Sequence, residues 1–268
     1  MTPSDKAFTG SIPQLYDRLL VPMIFAPYAQ DLAERVKAHK PREVLETAAG
    51  TGAVTAALAA EMPEARLTVT DLNEPMLVQA KKRLGERAGI TWQQADALAL
   101  PFADASFDCV VCQFGAMFFP DRLKGYSEAR RVLRDGGRFV FNVWDRIEEN
   151  DFANVVHEAL QQVFPDNPPQ FMKRTPHGYH DAARIRDDLS KAGFTDIAIE
   201  TVTHRSRASA AEDPAIAFCQ GTPMRPEIEA RGAPGPEAAT RAATEALRSR
   251  FGNGPIEGRI QALVISAA

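Results

Sequence analysis

The chain has 268 residues, of which 45% are hydrophobic and 25% charged, and its formal net charge is −4. This composition is typical of a globular protein with a sizeable core and excludes wholesale disorder. The negative charge disfavours a nucleic-acid partner, because phosphate binding needs a basic surface. The chain has three cysteines, no signal-peptide pattern and no apolar run that could span a bilayer, so we expect a cytoplasmic protein without a membrane partner.

Residues 13–38 are predicted to be helical, with breaks near Pro22 and Pro27. Strands and helices then alternate up to Trp144. The predicted strands cover residues 43–47, 67–71, 90–94, 107–112 and 138–144, and the predicted helices cover residues 51–61, 75–86 and 121–133. This alternation predicts an α/β fold with a doubly wound, Rossmann-like sheet and helices on both faces.

The pattern changes after Trp144. Helices are predicted at 151–163 and 181–192, an irregular proline-rich segment at 165–180, one or two helices within 211–250, and strands at 195–203 and 258–266. We expect a seven-stranded sheet whose last strand is antiparallel. The predicted division is an N-terminal helical cap (1–39), an α/β core (40–145), and a completion of the sheet with an inserted helical lid (146–268). A separate small C-terminal domain is the alternative.

A glycine-containing loop follows the first predicted strand, from Glu46 to Gly52. Gly50 and Gly52 let the backbone turn sharply and approach a ligand closely. A dinucleotide-binding loop would carry a third glycine where this chain has Thr55. Asp71, at the end of the second strand, suits ribose hydroxyls in either interpretation, so it does not decide between the two.

The order of motifs carries more information than any one of them. They are Glu46-Thr-Ala-Ala-Gly-Thr-Gly52, Asp71-Leu-Asn73 with Met76, Ala95-Asp-Ala-Leu98 followed by Leu100-Pro-Phe102, and Arg131-Val-Leu-Arg-Asp-Gly-Gly-Arg138. Over residues 40–145 the chain resembles the class I S-adenosylmethionine-dependent methyltransferases. The best match is to the group that includes the ubiquinone and menaquinone C-methyltransferases.

The resemblance implies S-adenosylmethionine as cofactor and assigns roles by position. The residues that would contact the methionine part are Glu46, Ala48, Gly50 and Thr51, and Asp71 would bind the ribose. The adenine would contact Leu72, Met76, Asp96, Ala97 and Leu98. Gln113, Phe114 and Gly115 would lie near the transferring methyl group. Many relatives carry glycine where this chain has Ala48, and we expect this methyl group to shift the ligand without abolishing binding.

Three further residues have two interpretations each. Tyr16 either closes over the methionine end of the cofactor, as the N-terminal helices of relatives do, or is a core aromatic. His177 and His180 are candidate general bases, although an ordinary structural role before the next helix is favoured for both. No third ligand accompanies the two histidines, so no metal site is expected.

These observations predict transfer of a methyl group from S-adenosylmethionine to a small molecule, with the accepting O, N or C atom undetermined. The apolar residues Phe114, Met117, Phe118 and Phe119 favour an apolar or aromatic acceptor. The alternatives are an NAD(P)-dependent oxidoreductase and a non-catalytic protein that binds S-adenosylmethionine. The oligomeric state stays open, a homodimer included.

Overall fold

The computed structural model describes Asp5, Phe8, Gly10 and residues 12–268. Helix α1 (Ile12–Leu15), a π-helical stretch (Tyr16–Phe25) and α2 (Ala26–Ala38) follow one another directly. The helical conformation continues through the two predicted breaks, but the type of helix changes near them. Pro22 lies in the π-helical stretch, whose hydrogen-bond register differs from that of an α-helix, and Pro27 is the second residue of α2.

Seven strands form one sheet. They are β1 (Glu43–Glu46), β2 (Arg66–Asp71), β3 (Ile90–Gln94), β4 (Phe107–Gln113), β5 (Leu133–Trp144), β6 (Ile197–Ala208) and β7 (Ile256–Ala267). The strand order is β3-β2-β1-β4-β5-β7-β6. Strands β1 to β5 pair in parallel, and β7 pairs antiparallel to β5. The predicted seven-stranded, Rossmann-like sheet is confirmed.

Nine more α-helices follow α2 in the described part of the chain. They are α3 (Ala53–Glu61), α4 (Glu74–Leu84), α5 (Arg122–Val132), α6 (Asp151–Val163), α7 (Phe171–Arg174), α8 (Ala182–Lys191), α9 (Glu212–Gln220), α10 (Met224–Glu229) and α11 (Gly235–Phe251). Right-handed crossovers place α3 and α4 on one face of the sheet and α5 on the other, because the strand order changes direction after β1.

Two segments differ from the predictions. Residues 165–180 include the short helix α7, and residues 211–250 form three helices where one or two were expected. Strand β5 also begins five residues early, at Leu133. The Asp135–Gly137 turn signal lies inside this strand, where the register with β4 shifts between Phe107 and Cys109, so it marks an irregularity and not the strand's start.

The chain forms two compact units. The sheet unit comprises Ala26–Trp144, Tyr179–Val202 and Ala262–Ala268, and the helical unit comprises the described part of Met1–Phe25, Asp145–Gly178 and Thr203–Gln261. The predicted three-part division follows chain order, whereas each unit consists of separate segments.

Each unit has its own core. In the sheet unit, α2 and α3 pack on β1, β2 and β4 through buried residues such as Leu32, Leu58 and Val111. In the helical unit, α6 and α11 pack together, and Phe152 meets Phe251 edge to face at 5.2 Å. None of the helices in the described part of the chain is both long and apolar enough to cross a bilayer.

Candidate functional site

The strand order reverses between β1 and β4, whose carboxyl ends lie side by side in the sheet unit. Open parallel sheets bind ligands at such a reversal, in the crevice outside the carboxyl ends of the strands. The loops after β1, β2, β3 and β4 meet at this edge. All but one of the residues that the sequence assigned to the cofactor lie at the ends of these strands, in these loops or in the first turn of α4; the exception is Tyr16. The candidate site is therefore built from short loops on a rigid sheet.

The loop after β1 folds back over the end of its strand. Ala48, Gly50 and Gly52 have φ values of 53°, 57° and 79°, a left-handed backbone that glycine adopts most readily. The N–H of Ala49 donates to the carbonyl of Thr70 at 3.0 Å, which ties this loop to the end of β2. The conformation is thus set by the backbone, with glycine at two of its three left-handed positions.

Glu46 is a buried carboxyl at the end of β1, with 1% of its surface exposed. The hydroxyl of Thr55 donates to its Oε2 at 2.6 Å, and no cationic side chain of the described residues lies within salt-bridge distance. Burial, with a contribution from the nearby charge of Asp71, raises the pKa of Glu46 to about 8. Thr55 occupies the position at which a dinucleotide-binding loop would have its third glycine.

Asp71, at the end of β2, is a second buried carboxyl. Its Oδ2 accepts the N–H of Gly50 at 2.8 Å, and its Oδ1 accepts the N–H of Asn73 at 2.7 Å. Burial raises its pKa in spite of these bonds. An ionised carboxylate has about four acceptor positions, so both oxygens retain capacity for further donors.

Ala48 and Gly115 bring the loops after β1 and β4 into contact. A Cβ added at Gly115 would lie 2.5 Å from the Cβ of Ala48 and 2.7 Å from the Sγ of Cys112. The methyl group of Ala48 therefore occupies the space that a side chain at position 115 would need. The expected effect of Ala48 on the ligand stays a prediction.

An aromatic group lies just after β4. The ring of Phe114 stacks on Trp144 at 3.8 Å, and Tyr28 meets both rings edge to face. The N–H of Phe114 donates to Oδ1 of Asn142 at 2.9 Å, which supports its left-handed φ of 49°. Phe114 is thus buried by its neighbours, and Gln113 before it is half-buried.

Asn142 escaped the sequence analysis. It is fully buried in β5, and its Nδ2 has no hydrogen-bond partner among the described residues. The available signal was its polarity within the apolar run from Phe139 to Trp144. A buried, unpaired donor beside the end of β4 suits a ligand acceptor atom.

The residues assigned to the adenine lie at the ends of β2 and β3. Met76 is buried, with its Cε 3.6 Å from the position of a Cβ at Gly50, whereas Leu72 is 43% exposed. Asp96 is exposed, and its Oδ1 accepts the N–H of Leu98 at 2.9 Å. Ala97 is half-buried between them.

The remaining candidates lie outside these strand ends and loops; they are Tyr16, His177 and His180. Tyr16, in the helical unit, stacks on Phe25 with the ring centroids 4.9 Å apart. His177, also in that unit, is buried with Nδ1 2.8 Å from the carbonyl of Asp145, to which it donates because a carbonyl only accepts. His180 is exposed in the sheet unit.

The apolar residues after β4 are mostly committed to packing. Met117 is 1% exposed, and Phe119 fills the space beside Gly125, where an added Cβ would lie 2.6 Å from its ring. Phe118 is half-buried. Among the residues described, no group of three potential ligands could hold a metal ion.

Comparison with known proteins identifies the family of this chain. A model described as a methyltransferase domain matches residues 45–141. The chain is 34% identical over 152 residues to a demethylmenaquinone methyltransferase of Deinococcus radiodurans, which covers 56% of this chain and 63% of that protein. It is 42% identical over 169 residues to a demethylmenaquinone methyltransferase of Clavibacter sepedonicus, covering 60% of this chain and 68% of that protein. The chain belongs to the class I methyltransferases.

A solved structure from Bacillus halodurans has the same fold as this methyltransferase, with a TM-score of 0.56, 22% identity and coverage of 88% of this chain and 97% of that one. The chain spans less than two thirds of the length of the curated relatives that match first. The resemblance inferred from the motifs is confirmed, and S-adenosylmethionine is the cofactor of this family.

The residues at the site fit this cofactor. S-adenosylmethionine carries an ammonium and a sulfonium, and Glu46 and Asp71 are buried acids that lack a protein cation within 4 Å in the described part of the chain. The hydroxyl of Thr51 is also buried without a hydrogen-bond partner among the described residues. Both features would gain partners from a cationic, hydrogen-bonding ligand.

Proposed function

We propose that this protein transfers a methyl group from S-adenosylmethionine to a small-molecule acceptor by in-line displacement. The observation that carries the proposal is the pair of buried, uncompensated acids, Glu46 and Asp71, at the ends of neighbouring strands. Burial without a cation is costly for a carboxylate, and a cationic ligand offsets that cost.

The methionine part of the cofactor is proposed to lie along the loop after β1. Glu46 would accept from its ammonium, and Thr51 would donate from its hydroxyl. The backbone N–H of Ala48 would face the carboxylate, and Gly50, whose N–H is donated to Asp71, would line the methionine part with its Cα and carbonyl. The conformation of the loop supports this assignment, because its left-handed residues turn successive backbone groups toward one side.

The adenosine part is proposed to lie across β2 and β3. Asp71 would accept from the ribose hydroxyls through the acceptor capacity that Gly50 and Asn73 leave. Met76 and Leu72 would cover the adenine, and Asp96, with the backbone of Ala97 and Leu98, would bind its edge. The exposure of Leu72 supports this role, because an apolar side chain that is exposed without ligand gains burial on binding.

The chemical step needs little from the protein. S-adenosylmethionine supplies a methyl group on a positively charged sulfur, and the protein aligns the acceptor and excludes water. Gln113 and Phe114 are proposed to border the reacting groups. His177 and His180 stay candidate bases for an acceptor that must lose a proton.

The acceptor is proposed to be a small apolar or aromatic molecule. Relatives named for demethylmenaquinone support a quinone-like ring as one such acceptor. The helical lid within residues 146–268, the closing role of Tyr16, the cytoplasmic location and the oligomeric state stay predictions.

Calorimetric titration with S-adenosylhomocysteine tests the cofactor site. The wild type should bind it, and Asp71→Ala should lose about 1.5–3 kcal/mol of binding free energy, the range for hydrogen bonds to a charged group. Asp104→Ala is the matched control, because Asp104 is 78% exposed and pairs only with Arg131.

Three outcomes would count against the proposal. Binding of a nicotinamide dinucleotide in place of S-adenosylhomocysteine would favour the oxidoreductase. Equal affinity in the Asp71→Ala variant would remove Asp71 from the ribose role. Tight cofactor binding without methyl transfer to any quinol or hydroxyarene would favour a binding protein.

A further inference from the structure

Arg122 lies at the start of α5, on the carboxyl side of β4, and no carboxylate of the described residues pairs with it. Its Nη2 donates to the carbonyl of Met117 at a long 3.4 Å, and its Nε is buried without a partner among the described residues. No carboxylate of the described residues lies within 4 Å of the guanidinium. A guanidinium has five N–H donors, so most of them have no protein acceptor here.

Other arginines of the sheet unit contrast with this one. Arg131 pairs with Glu128 and Asp104, and Arg134 pairs with Asp108. A partly buried charge is costly to keep without a counter-charge, since it has lost part of its hydration. Arg122 therefore differs from Arg131 and Arg134 in having no anionic partner among the described residues.

The position of Arg122 is fixed by an aromatic side chain. Its Cζ lies 4.0 Å from the centre of the Tyr179 ring. Tyr179 is itself anchored, because its hydroxyl donates to Asp188 at 2.7 Å and lies 3.4 Å from that of Tyr126. Stacking uses the flat face of the guanidinium and leaves the N–H groups at its edge available for an anion.

Arg122 is linked to the loop after β1 through the segment that follows β4. Its hydrogen-bond partner Met117 is two residues beyond Gly115, and Gly115 lies against Ala48 of the loop after β1. Because α5 follows β4, its first residue lies at the carboxyl edge of the sheet, where the ligand is expected. Its donors thus belong to the acceptor side of the site, beyond the residues assigned to the cofactor.

We propose that Arg122, stacked on Tyr179, binds an anionic oxygen on the ring of an aromatic acceptor. The oxygen belongs to a carboxylate or a phenolate group. This group anchors the acceptor while a different atom of the acceptor receives the methyl group. This assignment rests on the proposed methyltransferase function and makes Arg122 a specificity-determining residue. A guanidinium suits such an oxygen, because its planar N–H groups match the geometry of oxyanions.

Calorimetric titration of the full chain saturated with S-adenosylhomocysteine tests this assignment with two matched probe pairs. Benzoate is compared with neutral benzamide, and nitrophenolate with neutral nitroanisole. The wild type should bind at least one anion more tightly than its neutral partner, and the pair that shows the difference identifies the carboxylate or the phenolate. Arg122→Gln should weaken binding of that anion by at least about tenfold and leave the neutral probe unchanged.

Arg184→Gln is the control, because Arg184 faces the same ring from 5.7 Å but is 59% exposed and lies 4.0 Å from Asp188. It should bind the anion within about twofold of the wild type. Arg122→Lys keeps the charge and should retain part of the affinity, which separates loss of charge from loss of folding. S-adenosylhomocysteine affinity, measured first for each variant, reports the cofactor site separately.

The proposal is overturned if wild type binds neither anion, or binds each no better than its neutral partner. It is also overturned if Arg122→Gln binds the anion as wild type does, or if Arg184→Gln loses as much. Failure of the cofactor to bind, with anion selectivity intact, contradicts the methyltransferase function and leaves the anion site standing.

Discussion

Buried carboxyl groups have different surroundings in the two units. In the sheet unit, Glu46 and Asp71 are bonded only to hydroxyl and N–H groups, and the pKa of each is raised. In the helical unit, Asp5 is as deeply buried but accepts from Arg174 at 2.6 Å and from Thr175 at 2.9 Å. Arg174 also reaches Glu227 at 3.2 Å.

This difference separates two uses of a buried acid. The charge of Asp5 is neutralised by the protein, so its bonds hold together segments that lie 169 residues apart in the chain. Glu46 and Asp71 have no such cation among the described residues, so burial favours their protonated forms, and a cationic ligand would favour their ionisation. A buried acid with its own arginine therefore indicates structure, and one without a cation indicates a ligand.

The largest effect is expected from removing the arginine of the helical unit. Arg174→Met removes the arginine that pairs with buried Asp5 and with Glu227, and should lower the free energy of unfolding by about 3 kcal/mol. Arg225→Met is the matched control, since Arg225 pairs with Glu229 on the surface and should cost no more than about 1 kcal/mol. Urea unfolding measures both, and equal losses would contradict the structural role of the buried pair.

A smaller effect is expected where the cofactor loop meets the loop after β4. Gly115→Ala places a methyl group 2.5 Å from that of Ala48, and should cost about 1–3 kcal/mol of unfolding free energy. It should also weaken S-adenosylhomocysteine binding, because the loop after β1 must move. Gly254→Ala, with no atom within 4 Å of the new Cβ, should have little effect. If the two variants were equally stable, the close contact of the loops would be wrong.

The last effect is a dependence of stability on pH, which amounts to at most about 1.4 kcal/mol within any one pH unit. Folding raises the pKa of Glu46 from its ordinary value of 4.5 to about 8, so the native state holds a proton that the unfolded state has released between these pH values. Stability without ligand should therefore fall as pH rises through this range, by up to about 1.4 kcal/mol per pH unit relative to Glu46→Gln. Above about pH 8 the difference should level off.

Glu43→Gln is the control for this pH profile. Glu43 begins the same strand but pairs with Arg66, so its removal should leave the slope unchanged. Parallel profiles for wild type and Glu46→Gln would show that Glu46 is already compensated, and the contrast with Asp5 would disappear.

The sequence predicted the sheet and the local loops well, because both depend on patterns between near neighbours. The strands alternate with helices, and Gly50 and Gly52 directly follow β1, where the backbone adopts left-handed φ values. The same reasoning missed Asn142 and Arg122, whose importance depends on pairing between β4 and β5 and on packing between helices. It named Gly115 but not its close contact with Ala48, which depends on the pairing of β1 with β4. Asp5 and Arg174 form their pair across most of the chain, and no motif spans that distance.

The contact of Ala48 with Gly115 constrains how this protein can evolve. The two positions cannot both carry a methyl group without a shift of the backbone. Glycine at 48 would remove one of the two close contacts of an alanine at 115 and leave the contact with Sγ of Cys112, whereas alanine at 115 beside Ala48 makes both. The segment that binds the donor and the segment that follows β4 are therefore inherited as a linked pair, even where selection acts on the acceptor alone.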